Sequence, residues 1–446
     1  MKITTIGAGS VAWGPTINTD FLLNPALDGA ELMLMDVNPE TLALVERYLG
    51  RLVDEHRFRK TIRATTDLTA ALRGADYVLT AISVGGDRIW RYDVLFPQIY
   101  GIFQPVGDTI GPGGLMRALR HGPPLLEVGR KMLEVSKPGA PLIQLTNPMN
   151  PLCGALERLE GLTVYGICHG VDDTEWIFAD RLGLPKEQVR VEAAGNNHFI
   201  FCTEVTIGGD VYPPERFAEL TPRIFDTPFR EETFRRYGGL VANFSRHPIE
   251  FLPGFLTPES EFGRKWGVSP IAQEIDPLRG QRQDRARQLL DLALSQRQPI
   301  AWRSERLFHG LTRNAEGQAE TGHSREVIDD FIVALETRGD FSIHLNLRNE
   351  DAIAGVAPEL NVELPVVFER GALRRKHVRF DDEISQEIER VGREQHLIAR
   401  ACIDYDQDAL VEALSIDALV PDRDVAARLV REMTAFQTEY LPQLPR

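Results

Sequence analysis

Short apolar runs alternate with amphipathic stretches through the first half of the chain. Lys2–Ile6 and Glu31–Met35 read as strands, the second ending at Asp36, and residues 41–55 carry apolar positions at helical spacing. Residues 77–82 form an apolar run suited to a buried strand, with a Ser83-Val84-Gly85-Gly86 turn behind it. A helix is expected over 125–135, and strands over 141–145 and 163–167. Strand and helix in alternation predict an α/β fold: a Rossmann-type parallel sheet with helices on both faces, over residues 1–190. From residue 191 the texture changes. Irregular Pro-, Gly- and aromatic-rich segments fill 208–270, and helical patterns return over 276–294, 383–405 and 424–439. Residues 191–446 are therefore expected to form a mixed α+β domain that caps the first and serves substrate binding and oligomerisation.

Composition narrows the partners. The chain has 446 residues, 50 Lys and Arg against 65 Asp and Glu, and a formal charge of −15. Nucleic acid and anionic membrane surfaces would repel it, so the expected ligand is a small molecule. No apolar run reaches the roughly 18 residues of a membrane span, and the N-terminus lacks the pattern of a secretory signal, so a cytoplasmic protein is expected. Four scattered cysteines, Cys153, Cys168, Cys202 and Cys402, do not make a disulfide framework.

Gly7-Ala8-Gly9-Ser10 follows the first strand and precedes a helix, the context in which backbone amides approach a pyrophosphate. Ala12 stands where the third glycine of the dinucleotide fingerprint is expected. Asp36 suits a ribose 2′-hydroxyl and disfavours a 2′-phosphate, so NAD is preferred over NADP. The competing reading is a plain strand-to-helix turn with a solvated aspartate. Gly85 lies in the loop where a second set of cofactor contacts would fall.

Three segments that end or follow strands carry polar residues a plain core would avoid. They are Gln144 to Asn150, Gly166-Ile167-Cys168-His169-Gly170, and Ala194-Gly195-Asn196-Asn197-His198-Phe199. Strand ends of an open α/β sheet face the ligand crevice. A Cys168 thiolate and the His198 imidazole suit a borderline divalent metal, although a buried core cysteine is the commoner use of such a residue.

The ordered set Gly7-Ala8-Gly9-Ser10, Gly107-Asp108-Thr109-Ile110-Gly111-Pro112-Gly113-Gly114, Thr146-Asn147-Pro148, Cys168-His169-Gly170 and Gly195-Asn196-Asn197-His198 resembles the NAD- and metal-dependent glycosidases of glycoside hydrolase family 4. Further echoes are Asp93 to Gly101, Arg246-His247-Pro248-Ile249-Glu250-Phe251-Leu252-Pro253 and Asn361-Val362-Glu363-Leu364-Pro365. The resemblance implies hydrolysis by transient oxidation at sugar C3, deprotonation at C2, elimination and re-addition of water. It implies NAD and a divalent metal, manganese first, with Cys168 and His198 as metal ligands. Gly7, Gly9, Ser10, Asp36 and Gly85 are then expected at the cofactor, and Asn147, Asn197 and Arg246 at the sugar. His169 is the expected acid for the leaving group or, equally, a histidine orienting substrate or metal. Asp108 either reaches a sugar hydroxyl or opens a Gly-Pro-Gly turn. The C2 base is left open, with Tyr237 the nearest candidate. The Cys-His-Gly sequence is closest to members acting on α-hexuronides, an α-glucuronidase above all. Neutral α-galactosides or α-glucosides, 6-phospho-α-glucosides and a simple NAD-linked hydroxyacid or sugar dehydrogenase compete with that reading. A homo-oligomer, dimer or tetramer, is expected.

Overall fold

The computed structural model describes residues 1–268, 275–307 and 310–444. The last two residues of the irregular stretch expected over 208–270, and the last two of the expected second domain, lie outside them.

Six parallel strands form one half of the main sheet: β1 (Lys2–Ile6), β2 (Glu31–Met35), β3 (Thr61–Thr65), β4 (Tyr77–Thr80), β5 (Leu142–Gln144) and β6 (Val164–Gly166). Their order is β3-β2-β1-β4-β5-β6. Helices α1 (Trp13–Leu23), α2 (Pro39–His56), α3 (Leu68–Leu72), α4 (Gly86–Leu95), α5 (Gly111–Val135), α6 (Met149–Leu156) and α7 (Gly170–Leu182) cover it. The period of two along β2 shows why both faces are dry. Leu32 and Leu34 pack with Ile17, Phe21, Val45 and Leu49 of α1 and α2. Met33 and Met35 pack with Leu72, Leu125, Val128 and Met132 of α3 and α5. Of the sixteen residues from Val135 back to Arg120, the expected helix covered only the last eleven; α5 starts at Gly111 and runs through Pro123 and Pro124. A proline leaves the carbonyl four residues earlier without its donor. Here the Leu119 carbonyl accepts from the Gln443 side chain at 2.7 Å, so tertiary structure repairs what the sequence pattern reads as a break.

The sheet does not stop at β6. Gly166 pairs with Asn346 of the antiparallel strand Phe341–Arg348, which pairs along its whole length with Asn361–Glu369. Glu363 then pairs with Gly195 of β7 (Val189–Asn196), and β7 folds back on β8 (Phe199–Ile207). Parallel and antiparallel strands thus make one ladder, and the expected boundary near residue 190 falls at the start of β7. The helix Asp382–Asp404 packs on α5 and α6, and Arg423–Phe436 closes that layer. A small second sheet, with strands Ala301–Leu307, Ala319–Ser324 and Leu311–Arg313, lies beside α1. No described helix is long and apolar enough to cross a membrane.

Candidate active site

The carboxyl ends of β1, β4, β5 and β6 lie along one edge and carry four turns: Gly7 to Ser10, Ala81 to Gly85, Leu145 to Pro148, and Ile167 to His169. The first is cut for close approach. Gly7 has φ +92°, and a Cβ there would sit 2.2 Å from the Ala81 carbonyl oxygen. A Cβ on Gly9 would meet the Asp36 carboxyl at 2.7 Å, and Asp36 accepts the Gly9 N–H (2.9 Å) and the Asn38 N–H (2.9 Å). Ser10 Oγ accepts from the Trp13 N–H at 3.3 Å, tying the turn to the first residue of α1. The close-packing glycine of this motif is Gly14, where a Cβ would stand 2.0 Å from the Ala8 carbonyl oxygen. The G-x-G-x-x-G spacing predicts it at Ala12. Gly85, at φ +78°, caps α4.

His198 occupies the two-residue turn between β7 and β8 with φ +66°, a region that favours glycine or asparagine. Histidine is one of the few side chains enriched in that region, and the turn fixes the direction of the imidazole. Its Nδ1 is buried and has no hydrogen-bond partner, and burial with His247 close by holds the ring well below the usual histidine pKa, hence neutral. The His247 ring stacks on it at 4.1 Å between centroids. His247 Nε2 lies 3.0 Å from Asp108 Oδ1, and its Nδ1 lies 2.7 Å from Ser245 Oγ. Glu250, on the same turn and fully buried, accepts from the Val106 and Gly107 N–H groups, which fixes the loop that carries Asp108. Burial pushes the Glu250 carboxyl up to about 8 against those bonds.

Cys168 is buried at the end of β6. Burial and the Glu363 carboxylate push its thiol well above the usual range, while the Gly170 N–H (3.4 Å) and the Asn197 amide pull the other way. Asn197 Nδ2 donates to Glu363 Oε2 at 2.9 Å, and its Oδ1 is buried without a partner. Glu363, raised to about 7 chiefly by burial, therefore sets which end of that amide is free. His169 is half-buried. Burial works against its charge, but Glu326 (3.2 Å from Nδ1), Asp173 (3.5 Å from Nε2) and Asp172 prevail and raise it to about 9. The exposed Trp13 ring lies 6.0 Å from it. The Asn147 carbonyl accepts from Arg117 Nε at 3.2 Å and from His121 Nδ1 at 2.9 Å.

Asp108, His198, Asn197 and Cys168 thus come together through His247 and Glu363, two residues that local pattern did not single out for chemistry. Tyr237, half-buried at the end of its helix, has Glu387, Arg236, Arg390 and Glu383 as its charged neighbours. The residue that this segment brings to the Cys168 corner is Asn243, whose amide would be 3.1 Å from a Cβ on Gly170. An amide cannot take a proton as a base. Arg246 is exposed, next to His247.

Both implied groups pass a test of fit. Gly7 and Gly9 let the turn fold tightly onto Ala81 and Asp36 at the strand edge, where its amides can meet a pyrophosphate, and the buried His198 Nδ1 without a hydrogen-bond partner is an imidazole nitrogen of the kind that ligates a borderline divalent metal. A second trio, Asp20, His323 and Asp329, has donor atoms within 4.8 Å of one another. Its members bond to each other and to Ser324, with His323 Nε2 at 2.9 Å from Asp329 and the Ser324 N–H at 2.7 Å from Asp20. We read that trio as the buttress between α1 and the small sheet.

The family 4 glycosyl hydrolase model matches residues 2–184, and the model of that family's C-terminal domain matches residues 193–420. An α-galactosidase of Bacillus subtilis is 28% identical over 99% of both chains. An α-galacturonidase of the same organism is 27% identical over 97% of this chain and 96% of its own. The crystal structure of a 6-phospho-β-glucosidase from Thermotoga maritima with manganese, NAD+ and glucose-6-phosphate superimposes with a TM-score of 0.77, at 21% identity over 99% of each chain. The two models together span nearly the whole chain, and this protein belongs to glycosyl hydrolase family 4.

Proposed function

We propose that this protein is an NAD- and manganese-dependent α-glycosidase whose substrate is an α-hexuronide, a galacturonide or glucuronide. Residues 1–190 bind the cofactor and residues 191–446 close over the sugar, in a cytoplasmic homo-oligomer, dimer or tetramer. The observation that carries the reading is the joining of Asp108, His247 and His198 in one contact chain, with Asn197, next to His198 in the turn, hydrogen-bonding toward Cys168. Relatives named α-galactosidase and α-galacturonidase support the α-linkage, and the second of these supports the uronide.

Gly7, Gly9, Ser10, Asp36 and Gly85 would hold NAD, and Cys168 and His198 would hold the metal. When bound, the two supply a hydride acceptor and a Lewis acid for sugar oxygens. The chain's own residues do the rest. Asn147 and the free Oδ1 of Asn197 orient sugar hydroxyls. The Asp108–His247 pair is the proton acceptor that the geometry offers, with His247 held between Asp108 and Ser245. His169, between Glu326 and Asp173, stands at the mouth as donor to the leaving group. Arg246 and Arg117 are cations of the kind that recognises a C6 carboxylate.

The test is release of nitrophenol from α-galacturonide, α-glucuronide, α-galactoside and 6-phospho-α-glucoside with NAD+, Mn2+ and reductant. Turnover on a uronide without net NADH supports the proposal. Turnover on neutral or phosphorylated sugars alone overturns the uronide assignment. NADH accumulation in proportion to substrate overturns the glycosidase reading in favour of a dehydrogenase.

A further inference from the structure

His121 lies in the middle of α5 with no exposed surface. Its two ring nitrogens reach two different strand ends. Nδ1 is 2.9 Å from the Asn147 carbonyl oxygen, in the turn after β5, and the Val84 N–H donates to Nε2 at 3.1 Å, in the turn after β4. A carbonyl only accepts and a backbone N–H only donates, so Nδ1 carries the proton and Nε2 is bare. The ring is neutral: burial, with Arg117 and Arg120 nearby, keeps its pKa well below that of a free histidine.

The two turns it joins have different partners in the reading above. Val84 precedes Gly85, which starts helix α4 on the proposed cofactor side, while Asn147 is the residue that reading assigns to the sugar. A second link between the same turns, the Ile82 N–H donating to Thr146 Oγ1 at 3.0 Å, sets their spacing nearer the sheet. His121 sets it farther out. We propose that His121 is a positioning residue that ties the cofactor turn to the sugar turn, so that NAD+ and sugar bind cooperatively. The inference rests on the proposed function, because it needs both ligands at these turns.

Two conservative variants separate the two bonds. His121→Asn keeps a donor near the Nδ1 position and loses the Val84 partner; His121→Gln keeps an acceptor near the Nε2 position and loses the Asn147 partner. Calorimetry with NAD+ alone, D-galacturonic acid alone, and each in the presence of the other reads both affinities and their coupling. His121→Asn is expected to weaken NAD+ by about tenfold and to spare the sugar; His121→Gln is expected to do the reverse. His121→Ala is expected to weaken both and to abolish the coupling. Should the alanine variant fail to fold, the Asn and Gln pair decides. Equal weakening of both ligands in both variants, or no change in either, overturns the clamp. A wild-type protein that binds neither probe overturns the proposed function and the clamp with it, whereas a wild type that binds both leaves the variants to judge the clamp alone.

Discussion

His247 and Asp108 meet side chain to side chain at 3.0 Å, although 139 residues separate them. The contact ties the carboxylate to an imidazole that stacks on His198. Asp108→Asn keeps the size and loses the charge. It is expected to lower kcat about 100-fold or more, with KM changed far less, as loss of a proton-transfer partner does. Steady-state kinetics on the best glycoside check it, and a change confined to KM would assign Asp108 to binding only.

Cys168→Ser removes the soft ligand of the proposed metal site. Mn2+ affinity is expected to fall about 100-fold or more, while NAD+ affinity stays near wild type, since Gly7 and Gly9 lie on another strand end. Titration of free Mn2+ by electron paramagnetic resonance reads the first, and calorimetry the second. Unchanged Mn2+ binding would place the metal elsewhere.

Gly14→Ala forces a methyl against the Ala8 carbonyl, where the Cβ would stand only 2.0 Å away. The helix must shift off the nucleotide turn, so we expect a loss of about 1–3 kcal/mol in urea unfolding and weaker NAD+ binding. Ala12→Gly, at the fingerprint's nominal third position, is expected to leave NAD+ affinity within about twofold, with only the small stability cost of a glycine at a helix start.

Asp20 makes stability depend on pH. Burial raises its carboxyl to about 7 despite His323 beside it, while Asp329 raises it further. The folded state therefore holds a proton that the unfolded state releases near pH 4. That stabilisation is complete below the unfolded value and fades as pH rises through 7. His323, raised by Asp329 and Asp20 although burial opposes it, works in the same direction. Asp330 and Arg306 are the other charges facing the group. The protein is expected to lose about 2–4 kcal/mol between pH 5 and pH 8, and Asp20→Asn to flatten that slope. Denaturant melts at five pH values measure it; an identical slope in the variant would assign the dependence to other groups.

The five strands expected in the first half are present because their apolar runs are buried on both faces and need no distant partner to be recognised. The start of α5 was hidden by its glycines and prolines, which are made tolerable by Gln443, more than three hundred residues away. The antiparallel strands Phe341–Arg348 and Asn361–Glu369 went unread for a similar reason: their polar residues Asn346 and Glu363 face the site or cross the ladder, which blurs the apolar run. Cys168, His198 and Asn197 were legible as motif residues. His121, His247 and Glu250 were not singled out for chemistry, since their roles lie in hydrogen bonds to segments far along the chain. Tyr237 stands at the end of its helix among Glu387, Arg236 and Arg390, surroundings that no local sequence pattern announces.

The pairing of Gly166 with Asn346 has a genetic corollary. A gene fragment stopping near codon 190 would encode β6 as a naked rim of amides and carbonyls, ready to stitch onto any passing polypeptide. The nucleotide half cannot be harvested as a well-behaved module, and recombination that swaps one half for a stranger's must also supply a matching strand. Inheritance as a single indivisible unit is written into the backbone.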